Sequence, residues 1–316
     1  MDETRRGTLY GVAAYAMWGL FPLFWPLLKP SSAVEVLAHR VLWSLLVVAV
    51  LLRATRGFAA VRAVPRAQVQ RLGLAAVLLA ANWGTYIYGV NSGQVVETSL
   101  GYFINPLVSV ALGVAVLGER LRPVQKAALV AAVLAVVVLG VENGRPPYIA
   151  LVLAFSFGFY GLLKKQAGVG AVASLAVETA VLAPLAALYV GLLAVRGAST
   201  FGSQGVGHAL LLAAAGVVTA VPLLAFGAAA TRVPLTTLGV LQYLAPTLQL
   251  VVGVGLRHEP FGPARLAGFV LVWIALAVFT WDLVHERRRQ AALLLPVEAV
   301  APIGRWPVGA PPDGCR

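Results

Sequence analysis

The stretch Thr98-Ser-Leu-Gly-Tyr-Phe-Ile-Asn-Pro106 continues as an apolar run to Gly118-Glu119-Arg-Leu-Arg-Pro123, and it has a second copy. That copy reads Gly239-Val-Leu-Gln-Tyr-Leu-Ala-Pro246 and continues to His258-Glu259-Pro-Phe-Gly-Pro263. A shift of 140 positions lays Pro106 on Pro246, Gly113 on Gly253, Glu119 on Glu259 and Pro123 on Pro263. The chain reads as one unit written twice.

The residues around the two copies say what medium the unit occupies. Of 316 residues, 60% are hydrophobic and 11% charged, whereas a soluble domain carries roughly 25% charged residues. Mean hydropathy is +0.86. Apolar runs of about 20 residues, enough to cross a ~30 Å hydrocarbon core, recur along the chain. They predict an all-α integral membrane protein with ten spans, at 8–28, 34–52, 72–91, 98–118, 123–141, 147–164, 172–194, 207–229, 235–255 and 263–283. The first run is too long for the core of a secretory signal and no clear small-residue cleavage site follows it, so it reads as a span. The lone cysteine, Cys315, excludes an intrachain disulfide and a cysteine-based metal site.

The net charge of +12 does not point to nucleic acid, because the basic residues are dispersed through short loops rather than gathered on one face. They set orientation instead. With the N-terminus inside, 16 of the 24 Lys and Arg residues fall on the cytoplasmic side, Arg53, Arg56, Arg62, Arg66 and Arg71 among them, against six outside. Both termini are expected in the cytoplasm, in the cytoplasmic (inner) membrane. Five spans per copy is an odd number, so the second copy enters the membrane from the opposite side. Residues 1–145 and 146–284 then form two inverted five-helix repeats, a construction common among secondary transporters. Residues 285–316, basic and then Pro-rich, are expected to be a disordered cytoplasmic tail.

Pro106 stands 13 residues before Glu119, about 20 Å of helix, which places it near the bilayer centre, with Pro246 at a similar depth. Matched breaks in corresponding spans point to a midplane binding site, though a proline in a membrane helix also reads as a packing kink. Polar side chains gather beside them: Tyr102 and Asn105, Gln242 and Tyr243, and Asn82 and Tyr86 in the third span. In hydrocarbon such groups face a wet cavity or bond neighbouring helices as glue. Trp18 and Trp83, close to mid-span, are further cavity-lining candidates. Charges inside spans are fewer: Glu35, His39 and Arg40 open the second span and Glu178 lies in the seventh, where an alignment of the two spans lays Arg40 on it. A charge at such depth is a functional hypothesis by default, against the alternative of a structural pair. His39 is a proton-carrying candidate. Glu119 and Glu259 read as structural, each at a span end where a carboxylate meets basic residues or the first turn of the span beginning at Pro123 or Pro263. No zinc-protease helix, nucleophile elbow or P-loop is present; no enzymatic activity and no cofactor is expected.

Several separated motifs together resemble one family. The stretches Glu35-Val-Leu-Ala-His-Arg40-Val-Leu-Trp43-Ser44, Asn82-Trp-Gly-Thr-Tyr-Ile-Tyr88, Ser99-Leu-Gly-Tyr-Phe-Ile-Asn-Pro106, Gly118-Glu-Arg-Leu121, Glu178 with Pro184, Pro222-Leu-Leu and Leu241-Gln-Tyr-Leu-Ala-Pro246-Thr resemble the RarD group of EamA transporters in the drug/metabolite transporter superfamily, over about residues 8–283. The resemblance implies ten spans in two inverted repeats around a cavity opened alternately to each side. The group's association with chloramphenicol sensitivity implies movement of drugs or metabolites. The expectation is a secondary transporter exporting small organic metabolites or amphipathic drugs; the alternative from another class is a non-transporting membrane scaffold or assembly factor.

Overall fold

A computed structural model describes residues 3–117, 122–142, 144–230, 232–233 and 241–293. Glu119 and the stretch 234–240, with the start of the second motif copy, lie outside them. The described residues form ten principal helices: α1 (Glu3–Gly19), α2 (Ala33–Ala54), α3 (Arg66–Asn91), α4 (Val95–Leu117), α5 (Pro123–Glu142), α6 (Tyr148–Ala167), α7 (Ala171–Val195), α8 (Val206–Ala230), α9 (Leu244–Val251) and α10 (Pro263–Leu293).

Eight segments are long and apolar enough to cross a membrane, and two shorter apolar helices, Tyr148–Lys164 and Leu244–Leu256, occupy the places of the sixth and ninth expected spans. Which faces meet lipid follows from their side chains. The exposed stripe of α5 is Val130, Val133, Leu134, Val137 and Val141, and that of α7 is Val181, Leu185, Leu188, Leu192 and Val195. Apolar stripes of this kind suit hydrocarbon, where backbone polar groups are already satisfied within the helix.

Three expectations need correction. The first span is not one helix: α1 stops at Gly19, a short helix follows at Phe21–Phe24, and a 3₁₀ turn covers Trp25–Leu28. Pro22 and Pro26 each open one of these pieces, because proline has no N–H to give an earlier turn. In the ninth, the chain turns at Gln242–Tyr243. Pro246 then stands in the first turn of α9, where the missing N–H has no intrahelical partner to lose. Pro106, by contrast, lies inside continuous α4 and withholds a bond from the carbonyl of Tyr102. Finally, the helix expected to end near 283 runs to Leu293. The first nine residues of the supposed disordered tail are helical, since no proline or glycine interrupts His285-Glu-Arg-Arg-Arg-Gln-Ala-Ala-Leu293.

The main helix contacts are related by exchanging the first five helices with the last five. α1 packs on α8 as α6 packs on α3, α1 on α9 as α6 on α4, and α2 on α8 as α7 on α3. The pairs α2–α7, α4–α9 and α5–α10 map onto themselves. Small residues allow these approaches where no hydrophobic force separates helix from lipid. A Cβ on Gly101 would come within 2.8 Å of the Ala150 carbonyl oxygen, and one on Gly216 within 2.5 Å of the Trp43 backbone.

Candidate functional site

Arg40 is the centre of the site. It lies two turns into α2, 3% exposed, and its Nε donates to Thr219 Oγ1 of α8 at 2.8 Å. Aromatic rings surround the guanidinium: Cζ is 3.7 Å from the ring centroid of Trp83 on α3, 5.0 Å from Trp25 and 5.9 Å from Phe21. The two last rings come from the broken end of the first span, so the break wraps aromatic surface around the charge. Cation–π attraction offsets part of the desolvation cost. Tyr86 packs in one core cluster with Phe21 and Trp25, and Tyr102 packs against that cluster.

Tyr86 and Tyr102 meet edge to face with centroids 5.6 Å apart. Tyr102 donates to Asn82 Oδ1 at 3.1 Å, while Asn82 Nδ2 donates to the Leu153 carbonyl and Ser156 Oγ of α6, both at 3.0 Å. Asn105 Nδ2 reaches the Ala154 carbonyl at 3.1 Å. Along α4, Tyr102, Asn105 and Pro106 are half-buried and Ser109 is exposed, whereas Leu100, Phe103, Ile104, Leu107 and Val108 are buried. Between Tyr102 and Ser109 the accessible positions of α4 are therefore polar apart from Pro106, unlike the stripes of α5 and α7, while Ala115 and Val116 near the end of α4 are exposed and apolar. Phe157 and Tyr160 of α6 extend the Tyr102–Ser109 stretch, with Phe157 6.4 Å from Tyr102 and 5.6 Å from Tyr160 between centroids.

The structure thus brings Arg40, Asn82, Trp83, Tyr86 and Tyr102 together, with Asn105 and Pro106 on the adjoining turn. Other expected residues lie elsewhere. Glu178, 1% exposed, pairs with Lys164 Nζ at 3.0 Å and accepts from Ser174 Oγ at 2.6 Å and Tyr160 Oη at 3.2 Å. It forms no ion pair with Arg40. His39 turns away from the cage and stacks on Phe201 of the α7–α8 loop at 4.9 Å. Glu35, one turn earlier, accepts from the Thr200 backbone N–H at 2.7 Å and from Ser199 Oγ at 3.3 Å. Ser31 Oγ lies 2.8 Å from His208 Nε2 and 2.6 Å from Thr200 Oγ1, so the α7–α8 loop is tied across the start of α2. Trp18, by contrast, packs against the core cluster that holds Phe21, Trp25 and Tyr86 as well as on Tyr15 and Phe226, and its carbonyl accepts from Gln249 Nε2 at 3.2 Å. Tyr243 packs against the core cluster that includes Leu250 and Phe269, and the carbonyl of Pro246 accepts from Ser99 Oγ at 2.8 Å.

Glu259 has a structural contact beside Arg257 and Arg265, as expected, but the helix turn it caps differs from the expected one. Its two oxygens accept the backbone N–H groups of Val95 and Val96 at 2.7 and 2.8 Å. It caps the first turn of α4, in the other half of the chain, rather than that of α10. Unpaired amides and the helix dipole make that turn a ready acceptor of negative charge. Burial raises the Glu259 pKa, opposed by those two amides and by Arg265 and Arg257. Glu97 does the same for α6, accepting the Ile149 N–H at 2.9 Å while Arg145 approaches its other oxygen at 3.3 Å.

Sequence reasoning missed Phe21, Trp25 and Thr219. The first two had a signal, the closely spaced Pro22 and Pro26 inside an apolar run, which mark a broken span. Thr219 had none. Among the described residues no cluster of three or more His, Cys, Asp or Glu residues could hold a metal ion.

The EamA-like transporter family is matched over residues 5–141. Protein RarD of Streptomyces exfoliatus is 57% identical over 304 residues, covering 95% of each chain. An uncharacterized transporter, YojE, of Bacillus subtilis (strain 168) is 41% identical over 291 residues, covering 90% of this chain and 97% of its own. A solved structure, described only as the crystal structure of a protein, shares the fold at a TM-score of 0.57 and 22% identity, covering 87% of this chain and 96% of that one.

Proposed function

The chain belongs to the RarD group of the EamA-like transporter family and is a multi-pass membrane transporter; from that premise we propose that it is a secondary transporter working by alternating access, exporting small organic metabolites or amphipathic drugs. The observation that carries this reading is the polar, accessible stripe of Tyr102, Asn105, Pro106 and Ser109 on α4, beside the buried Arg40 cage. A face of that chemistry suits water and substrate rather than lipid. The exchange symmetry of the helix contacts supports two inverted five-helix repeats around that cavity, with both termini in the cytoplasm of a cell whose inner membrane the chain spans. The tie of the α7–α8 loop to Ser31 and Glu35 closes the expected outer end, while the stripe runs towards Lys164 at the expected inner end; together they fit an inward-facing state. Trp18 packs beside the cage from α1, Glu178 with Lys164 stands near the expected inner end of the stripe, and Gln242, Tyr243 and Pro246 stay candidates for substrate contact from the second half.

Purified protein in proteoliposomes, offered radiolabelled amphipathic solutes with chloramphenicol among them, should show flux above empty vesicles. No flux of any solute would sink the reading. A second reading, a non-transporting scaffold, draws on one observation: the amides of Asn82, Asn105 and Gln249 are all engaged between helices, as structural glue would be. Under that reading, folded Asn105→Ala protein leaves every transport phenotype unchanged; under ours, it changes flux.

A further inference from the structure

The buried carboxylates of the bundle interior are matched. Glu35 accepts from Thr200 and Ser199, and Glu178 pairs with Lys164. Nearer the surface, Glu97 meets Arg145, Glu259 caps α4 and Asp282 meets Arg122. Arg40 has no carboxylate partner among the described residues, although a guanidinium stays charged at any physiological pH. A buried charge without a counter-ion is costly, and cation–π contact with aromatic rings returns only part of that cost. What surrounds Arg40 is specific. Its own Nη1, Trp25 Nε1, Tyr86 Oη and Ser44 Oγ are all buried without a hydrogen-bond partner among the described residues. The Trp25 ring is 5.0 Å from the guanidinium, Tyr86 packs in one core cluster with Phe21 and Trp25, and Ser44 lies one helical turn below Arg40 on α2. Every one of these atoms can donate a hydrogen bond. Buried donors without partners beside a fixed positive charge, among flat rings, suit a carboxylate attached to an aromatic or apolar body. The Tyr86–Tyr102 pair joins this cage to the accessible stripe of α4.

We propose that the Arg40 cage, formed by Phe21, Trp25, Ser44, Trp83 and Tyr86, is an anion subsite that takes the carboxylate of an amphipathic, aromatic substrate. The proposal rests on the transporter reading for its meaning, but the site stands on its own geometry. Charge-assisted hydrogen bonds of the Arg–carboxylate kind set the expected discrimination at about tenfold or more against an uncharged isostere.

The test uses the full chain in lipid nanodiscs in a gluconate buffer, with phenylacetate, phenylacetamide and 2-phenylethylamine as probes and tryptophan fluorescence as readout, because Trp25 and Trp83 form the walls. Phenylacetate should bind at least about tenfold more tightly than phenylacetamide, and 2-phenylethylamine should be the weakest. Arg40→Gln should abolish the preference and Arg40→Lys, which keeps the charge, should retain part of it. Equal affinity of the wild-type protein for acid and amide would overturn the proposal without recourse to any variant. So would a preference that survives in folded Arg40→Gln protein, or a fluorescence change produced by chloride alone in place of gluconate. Flux of the same probes into proteoliposomes separates the two readings. Flux of phenylacetamide with no preference for the acid sinks the anion subsite and leaves the transporter. Selective binding of phenylacetate with no flux of any probe sinks the transporter and leaves the subsite.

Discussion

At the scale of single residues, the structure sorts polar groups by what each one touches. Asn82 holds two acceptors on α6 and one donor on α4, so Asn82→Ala leaves Tyr102, Ser156 and a carbonyl short of a partner. Interhelical hydrogen bonds in membranes contribute about 0.6–1.7 kcal/mol each; detergent-solubilised Asn82→Ala protein should melt several degrees lower, read by fluorescence-detected size exclusion after heating. Glu259 allows a test with pH. Its folded pKa lies above its ordinary value, so its contribution is fully present below the unfolded pKa and is lost as pH rises through the folded one. Glu259→Gln does not titrate there. The difference in melting temperature between wild type and Glu259→Gln should therefore shrink as pH rises from the ordinary carboxylate range, about 4, towards neutrality; a difference that widens instead would show that the cap favours the ionised carboxylate.

At the scale of elements, α2 and α8 matter most, because Arg40 sits on one and Thr219 on the other. Their approach depends on Gly216, where a Cβ would meet the backbone and Cβ of Trp43 at 2.5 Å. Backbone does not yield as a flexible side chain does. Gly216→Ala should force the two helices apart at a cost of about 1–3 kcal/mol, lowering the yield of monodisperse protein and weakening any phenylacetate binding along with it. The elements were largely legible in the chain: the places of α2 through α8 follow from apolar runs and loop charges. What was not legible was the break in the first span. Pro22 and Pro26 mark it, yet mean hydropathy registers only that the run is apolar, and a run of the right length hides a helix that stops at Gly19.

At the scale of the whole molecule, the two halves hold one another. Glu259 caps α4, Glu97 caps α6, Ser99 bonds Pro246 and Gln249 bonds the Trp18 carbonyl, each across the halves. The alternating access proposed above would open the central face to one side at a time. In a background without Cys315, Ser109→Cys should react with a membrane-impermeant maleimide from one side of the membrane only in a given state, and a transported solute should change the rate. Equal labelling from both sides at once would contradict alternating access. Reporter fusions should place both termini in the cytoplasm; an external C-terminus would overturn the inverted repeat.

The amino-acid sequence by itself determined that the chain lives in a bilayer, where its apolar runs lie, which way they are expected to face, and that its prolines, amides and few charges are set among them. These are local properties, fixed by composition over about 20 residues and by the cost of a charge in hydrocarbon. Only the tertiary structure decided which polar group answers which. Arg40 and Thr219 are 179 positions apart, and Glu259 is 164 from Val95. No local pattern encodes such a pairing, because it depends on how helices of opposite halves pack. The same packing parts Arg40 from Glu178, gives Glu178 to Lys164, and leaves a guanidinium among aromatic rings.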